Sequence, residues 1–334
     1  MRYSATLEWT EGALAWRRAQ QVRLVGRSAI GSDVYYASTS GRQGLDPILD
    51  AHYQEEKPVS DARSPVSSSG SQPFSGPTNL RGRVALVTGV GRERGIGSAV
   101  CRALASRGAD VAFSYWRAYD REAPWASEED EPRSLLGELR AAGVRAEEME
   151  VDLSLPDSAR RLLDRTEEAL GRPSVLVNVA AYSTRDGFEN LDAETLDAHY
   201  AVNVRAMALL SVEFARRYSS GAGGRIINFS SGQSLGPMPG ELAYAATKGA
   251  IEAFTRTLAA EVGHKGITVN AVNPGPTDTG WISEELAQEL LPKFPPGRLG
   301  QPEDAAKLVA FLASDEAAWI TGQIINSEGG FFRS

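Results

Sequence analysis

From Arg81 onward, short aliphatic and β-branched runs alternate with longer stretches whose apolar positions recur every three or four residues. The short runs predict strands at 83–88 (RVALVT), 109–115, 144–153, 174–180, 224–231, 267–274 and 322–330. The longer stretches predict helices at 95–108, 134–143, 158–171 and 244–263, with two short ones near 283–291 and 302–313. Residues 193–218, AETLDAHYAVNVRAMALLSVEFARRY, read as one long helix. Strand and helix alternate throughout, which is the mark of βαβ units and of a parallel sheet covered on both faces. The expectation is one doubly wound α/β domain over residues 80–334, with no internal repeat.

The region before it has another character. Between Pro58 and Thr78, Pro, Ser and Gly fill 13 of 21 positions, so residues 58–79 are expected to be a flexible linker. Residues 1–57 carry weaker helical signals at 4–25 and 45–56 and no catalytic motif. They are expected to be a poorly ordered extension or the product of a start site placed too early, with a small docking or oligomerisation element as the other reading.

Composition narrows the function. A net charge of −8 argues against nucleic acid or an anionic membrane as the main partner, since both favour a basic face. One cysteine rules out an intrachain disulfide. No signal peptide and no apolar run of about 18 residues is apparent, so a soluble cytoplasmic protein is expected. No metal site is expected.

The first predicted strand runs directly into TGVGRERGIG, residues 88–97, and then into a helix. A strand, a glycine loop and a helix N-terminus together direct backbone amides at an anion, and glycines admit a pyrophosphate closely. The alternative is a structural tight turn. No acid follows the second strand until Asp120, whereas Arg94 lies in the loop and Arg117 just past the strand. Two cations favour a 2′-phosphate, hence NADP(H), with NAD(H) as the alternative. Against this, one or both arginines are solvated surface residues.

Tyr244 and Lys248 are spaced i, i+4, one above the other on a helix face. A free phenol has a pKa near ~10, and a neighbouring ammonium lowers it toward useful proton transfer. Ser231 closes the preceding strand, where its hydroxyl can hold a substrate oxygen, and Asn203 sits in an otherwise apolar helix, where its amide can hold a proton-relay water. Singly these are common features: a Tyr–Lys pair, a strand-end turn serine, a helix asparagine. Their joint order behind a phosphate loop carries the weight.

With these pieces in place, residues 81–332 resemble the short-chain dehydrogenase/reductase family, and within it the 3-oxoacyl-[acyl-carrier-protein] reductases. The resemblance implies a Rossmann fold with strand order 3-2-1-4-5-6-7 and a homo-oligomer, tetramer or dimer. It implies that Asn203, Ser231, Tyr244 and Lys248 are catalytic. It implies cofactor contacts from Thr88, Gly89, Gly91, Arg94, Gly95, Ile96, Gly97, Arg117, Asp152, Leu153, Asn178, Ala180, Tyr244, Lys248, Pro274, Gly275, Thr277 and Thr279. The expected activity is interconversion of a small-molecule ketone, such as a 3-ketoacyl thioester, and a secondary alcohol; the alternative is a non-catalytic dinucleotide-binding sensor or scaffold.

Three departures stand out. Arg92 and Glu93 lengthen the glycine loop, Val179 and Ala181 replace the family's usual Asn and Gly in the NNAG segment, and residues 115–125 are unusually aromatic, either flanking the adenine or covering the sheet edge. Residues 280–300 are expected to form a substrate lid, and Arg216, Arg217 and Lys293 offer cations for a local basic patch.

Overall fold

The computed structural model describes residues 79–122, 128–219 and 223–333, together with an antiparallel pair of two-residue strands, Val22–Arg23 and Ser38–Thr39. Val22 and Arg23 are therefore extended where a helix was expected over 4–25. The rest of the expected extension and the linker at 58–78 lie outside the described residues.

Seven strands form one parallel sheet: β1 (Val84–Thr88), β2 (Asp110–Tyr115), β3 (Ala146–Glu150), β4 (Val175–Asn178), β5 (Gly224–Phe229), β6 (Ile267–Asn273) and β7 (Ile324–Asn326). Their order across the sheet is 3-2-1-4-5-6-7, as expected. The chain moves outward from β1 to β3, then returns to place β4 on the other side of β1. The crossovers diverge there, which opens a crevice beyond the carboxyl ends of β1 and β4.

Nine α-helices accompany the sheet among the described residues: α1 (Ile96–Ala105), α2 (Arg117–Glu122), α3 (Glu131–Ala141), α4 (Ser158–Leu170), α5 (Ala193–Tyr200), α6 (Met207–Arg217), α7 (Leu242–Val262), α8 (Glu284–Leu290) and α9 (Pro302–Leu312). Alternation along β1 shows how the sheet is sandwiched. Ala85 and Val87 pack with Leu104 of α1, Leu139 of α3 and Val309 of α9. Val84 and Leu86 pack on the opposite face with Leu162 of α4, Phe214 of α6 and Leu258 of α7. Successive side chains of a strand point to opposite faces, so four consecutive apolar residues, Val84–Val87, require a helical layer on each side. Truncating a buried leucine such as Leu86 to alanine in such a core costs about 2–5 kcal/mol.

Two elements differ from the expectation. The long helix over 193–218 is interrupted: a π-helical stretch, Ala201–Ala206, separates α5 from α6. Its cause is tertiary, because Asn203 within it is bonded to residues of a loop and of α7, and no apolar period encodes that. Residues 117–122 form α2, inside the aromatic stretch that was read only as a cover or a flank.

Helix α7 starts two residues before Tyr244, although its own Glu241 provides no side-chain cap. The cap comes from a loop far away in sequence. The Leu242 and Ala243 amides donate to the two carboxylate oxygens of Asp186, at 2.6 and 2.8 Å. An acid at a helix N-terminus satisfies orphan amides and complements the helix dipole. No helix among the described residues is long and apolar enough to cross a membrane.

Candidate active site

The glycine loop sits at the carboxyl end of β1. Thr88 is buried, and its hydroxyl accepts from the Ala180 amide at 3.3 Å, tying the loop to the segment after β4. Gly89 has φ +76°, and a Cβ there would stand 2.6 Å from the Ala180 backbone. A side chain at Gly89 is thus excluded by both conformation and space. Helix α1 begins after Gly95 with no side-chain cap and no acid in its first turn. Its amides and dipole therefore face the loop without a competing anion of their own, and Ile96 and Gly97 open the helix there. These residues fit a dinucleotide pyrophosphate.

The longer loop is braced on three sides. Arg92 donates to the Thr279 carbonyl at 2.9 Å and so bridges the glycine loop to the segment after β6. The Glu93 amide donates to Glu131 at the start of α3, and Arg102 of α1 donates to the Glu93 carbonyl at 3.1 Å. The Arg92 guanidinium is held below its ordinary pKa by burial, an effect opposed by Asp120, Tyr119 and Glu131.

The two arginines expected to favour a 2′-phosphate stand differently. Arg94 is exposed, as a phosphate ligand would be, and its guanidinium pairs with Asp278 at 3.2 Å. Arg117 is only 3% exposed. It donates to the carbonyls of Gly91 (3.2 Å) and Glu128 (2.8 Å), so it supports the loop from behind instead of presenting a cation to the crevice. The reason is α2, which turns the side chain inward. The same helix returns Asp120 to the loop: a Cβ on Gly91 would stand 1.9 Å from its carboxylate oxygen. An acid therefore does lie beside the loop, although none ends β2. Burial pushes the Asp120 carboxyl above its usual range, against the pull of Arg117 and Arg92.

Tyr244 and Lys248 share one face of α7, with the Lys248 Nζ 5.2 Å from the Tyr244 ring centroid. That nitrogen donates to the Phe229 carbonyl at 2.8 Å, at the end of β5. Lys248 is 2% exposed, and desolvation lowers its pKa to about 8. Burial raises the Tyr244 phenol first, the Glu241 carboxylate raises it further, and a hydrogen bond with Ser231 opposes both. Ser231 stands in extended backbone before the short turn Gly232–Ser234, so the end of β5 delivers its hydroxyl to Tyr244.

Asn203 is buried, and its amide makes three hydrogen bonds. The Tyr182 amide donates to its oxygen (2.7 Å), while its nitrogen donates to the Tyr182 carbonyl (2.9 Å) and the Thr247 hydroxyl (3.1 Å). Through these bonds the side chain ties the loop after β4 to α7. Tyr182 in turn packs against His199 edge-on at 4.9 Å and lies 5.6 Å from the ring of Tyr119. The aromatic stretch after β2 thereby reaches the site through Tyr119.

The remaining expected cofactor residues divide. Leu153, Ala180 and Thr88 line a small cleft together with Asn178. The Asn178 amide donates into the core, to Ser211 (3.1 Å) and Asn228 (2.9 Å), joining β4 and β5 to α6. Asp152 accepts from the Ser154 amide at 2.8 Å and shapes the turn after β3. After β6, Pro274 and Gly275 lead to Thr277 and Thr279, both buried; the Thr277 hydroxyl donates to the Gly275 carbonyl at 3.2 Å. Trp281 of the expected lid donates its indole N–H to the Thr277 carbonyl at 2.8 Å. The expected basic patch is neutralised: Arg216 pairs with Glu213, Arg217 with Glu213 and Asp164, and Lys293 with Glu289.

Sequence reasoning named Arg92 and Asp120 without giving either a place at the site, and missed Asp186 and Tyr182. Only Arg92 carried a signal, as a cation inserted into a phosphate loop. The others depend on where a loop or short helix folds back.

Known proteins resemble this chain in sequence and fold. A family model described as enoyl-(acyl carrier protein) reductase matches residues 89–332. A Bacillus subtilis protein, uncharacterized oxidoreductase YjdA, is 53% identical over 253 residues, covering 75% of this chain and 97% of its own. The 3-oxoacyl-[acyl-carrier-protein] reductase FabG of Pseudomonas aeruginosa is 38% identical over 261 residues, covering 77% of this chain and all of its own (100%). A blue fluorescent protein from a metagenomic library, solved in complex with NADPH, superposes with a TM-score of 0.68 at 35% identity, covering 76% of this chain and 100% of its own.

Proposed function

The chain belongs to the short-chain dehydrogenase/reductase family of oxidoreductases, and on that premise we propose that it interconverts a ketone and a secondary alcohol with NADP(H). The observation that carries this reading is the convergence of Ser231, Tyr244 and Lys248 at the carboxyl end of β5, beside an open helix N-terminus. The chemistry that NADPH supplies when bound is a hydride for the carbonyl carbon. Thr88 to Gly97 would hold its pyrophosphate, with Arg94 as the cation for a 2′-phosphate, and Pro274 to Thr279 would hold its nicotinamide end.

The protein's own part is to bind and protonate the oxygen. Ser231 and Tyr244 hold the substrate oxygen between two hydroxyls, and Tyr244 gives its proton to that oxygen as negative charge develops there. Lys248, protonated below a pKa of about 8, keeps a positive charge beside the ring that stabilises the resulting phenolate. Asn203 fixes the loop at Tyr182 against Thr247 and so preserves the wall of the site. A short 3-ketoacyl thioester is the first substrate to offer, given the likeness to FabG.

The test is oxidation of NADPH and of NADH with that thioester and a panel of simple ketones, for wild type and Tyr244→Phe. Turnover preferring NADPH, lost in the variant while NADPH still binds, is the expected result. Near wild-type turnover in the variant would remove Tyr244 as proton donor. NADPH binding without turnover on any ketone or on the matching alcohols would favour a non-catalytic scaffold. The same reading has the chain assemble as a homo-oligomer through residues 80–334, so cleaving the linker should leave assembly and turnover in that fragment.

A further inference from the structure

One buried carboxylate near the site has no part in the proton chemistry. Glu252 lies on α7 one turn beyond Lys248, in line with Tyr244 and Lys248, and is 6% exposed. A single oxygen of it, Oε1, accepts three hydrogen bonds from the turn that carries Ser231. Ser230 Oγ donates at 2.8 Å, Gln233 Nε2 at 2.8 Å and Ser234 Oγ at 3.1 Å. Its other oxygen lies 3.7 Å from the Arg256 guanidinium on the solvent side.

These donors flank Ser231 on both sides in sequence. Among the described residues the Ser231 hydroxyl meets only Tyr244 and, at 3.8 Å, the Met238 sulfur. A serine on a short turn has several rotatable bonds between its hydroxyl and the sheet. Something must remove that freedom, because an error of about 1 Å at a reacting group costs on the order of 100-fold in rate. A charged acceptor taking three donors makes stronger bonds than a neutral one, and losing it would leave the Ser230 and Ser234 hydroxyls without that acceptor and Gln233 with only its longer bond to Ser230 Oγ at 3.4 Å.

We propose that Glu252 is a positioning residue: it locks the turn Ser230–Ser234 onto α7 and so fixes the Ser231 hydroxyl against Tyr244 on the same helix. The inference rests on the ketone–alcohol reading above. Its logic is that the proton donor and the residue holding its hydrogen-bond partner are built on one rigid helix, so their spacing does not depend on a flexible turn.

The experiment is a double-mutant cycle with Glu252→Ala, Ser231→Ala and the pair, measured with NADPH and the short 3-ketoacyl thioester, alongside Glu252→Gln. Glutamine keeps one oxygen for the three donors, loses the charge and puts an NH2 group where the second oxygen faces Arg256. We expect Glu252→Ala to lower kcat on the order of 100-fold with the NADPH dissociation constant unchanged. The pair should be no worse than Ser231→Ala alone, since residues acting through one another are not additive. Glu252→Gln should recover to within about tenfold of wild type. Additive losses, or a glutamine variant as poor as alanine, would overturn the proposal.

A second readout does not need turnover. In protein carrying 13C-labelled tyrosine at pH 7, the Tyr244 ring resonance should move in Glu252→Ala in the same direction as in Ser231→Ala, because both lose the Ser231 hydroxyl at the phenol, and should return toward wild type in Glu252→Gln. Lys248, Glu241 and Tyr119 also face that phenol and are unchanged across the set. If wild type turns over no ketone, the functional reading fails while this resonance still decides the role of Glu252. A Tyr244 resonance identical in wild type and Glu252→Ala, but moved in Ser231→Ala, would overturn it.

Discussion

Replacing Lys248 by methionine should make the protein more stable at neutral pH while abolishing turnover. The ammonium is buried, and its hydrogen bond goes to a neutral carbonyl, that of Phe229. Desolvation lowers its pKa from 10.5 to about 8. At about 1.36 kcal/mol per unit, holding that charge in the folded state costs about 3 kcal/mol. Methionine has similar length and no charge, but it leaves the Phe229 carbonyl without its donor, which takes back about 1 kcal/mol. The net expectation at pH 7 is a gain of about 2 kcal/mol.

The sign follows from proton counts. Below the folded-state pKa of about 8, both folded and unfolded wild type carry the proton, so the whole penalty is present. Between about 8 and 10.5 the unfolded chain holds more protons than the folded one, so wild-type stability rises with pH relative to the variant. Above that window the lysine is neutral in both states and the penalty is gone. Urea unfolding of both proteins at pH 7 and near pH 10.5 tests this, since the difference between them cancels other titrations. The variant should lead at pH 7 and lose its lead at high pH. A variant less stable than wild type at pH 7, or a gain that does not change with pH, would refute the burial argument.

Tyr244→Phe should lower kcat by about 10²–10⁴, the range for removing a general acid, with NADPH affinity kept in a fluorescence titration. Asp186→Ala removes the acceptor for both first amides of α7 and should cost about 1–2 kcal/mol in urea unfolding, although Asp186 lies outside that helix. Gly91→Ala forces a methyl into the Asp120 carboxylate and should weaken dinucleotide binding by at least tenfold in calorimetry, with Asp120→Gly in the same chain restoring part of it. Arg94→Ala should weaken NADPH more than NADH, whereas Arg117→Ala should lower stability and affect both cofactors alike, because Arg117 braces the Gly91 carbonyl from within.

What could be read in the sequence was what repeats locally. The alternation of strands and helices and the Tyr244–Lys248 face follow from period-2 and period-3.6 patterns that each residue shares with its neighbours, whereas the strand order came only with the family resemblance. The glycine loop was legible because its chemistry is set by contiguous residues. Features built by chain return were not. Asp120 is five residues past the end of β2 on paper, but α2 doubles it back onto Gly91. Arg117 reads as a free cation until burial shows it spent on carbonyls. Asp186 and Leu242 are 56 residues apart, so no local window joins the cap to its helix. Residues 201–206 have the composition of an ordinary helix; the demand for a wider turn comes from Tyr182 and Thr247, where Asn203 must reach.

That wider turn sets a limit on redesign. Regular α-helix through Ala201–Ala206 would be the obvious choice for a stabilised scaffold, because idealised backbones tend to be the most stable. Regularising it would remove the extra residue that the π turn accommodates and rotate everything after it, including the apolar face that α6 presents to α4, by about 100° relative to α5. Either Asn203 would leave Tyr182 or Phe214 would leave the core. Computational repacking of this protein should therefore hold the backbone of residues 193–217 fixed, and libraries that delete a residue between Tyr200 and Met207 should yield folded members only rarely.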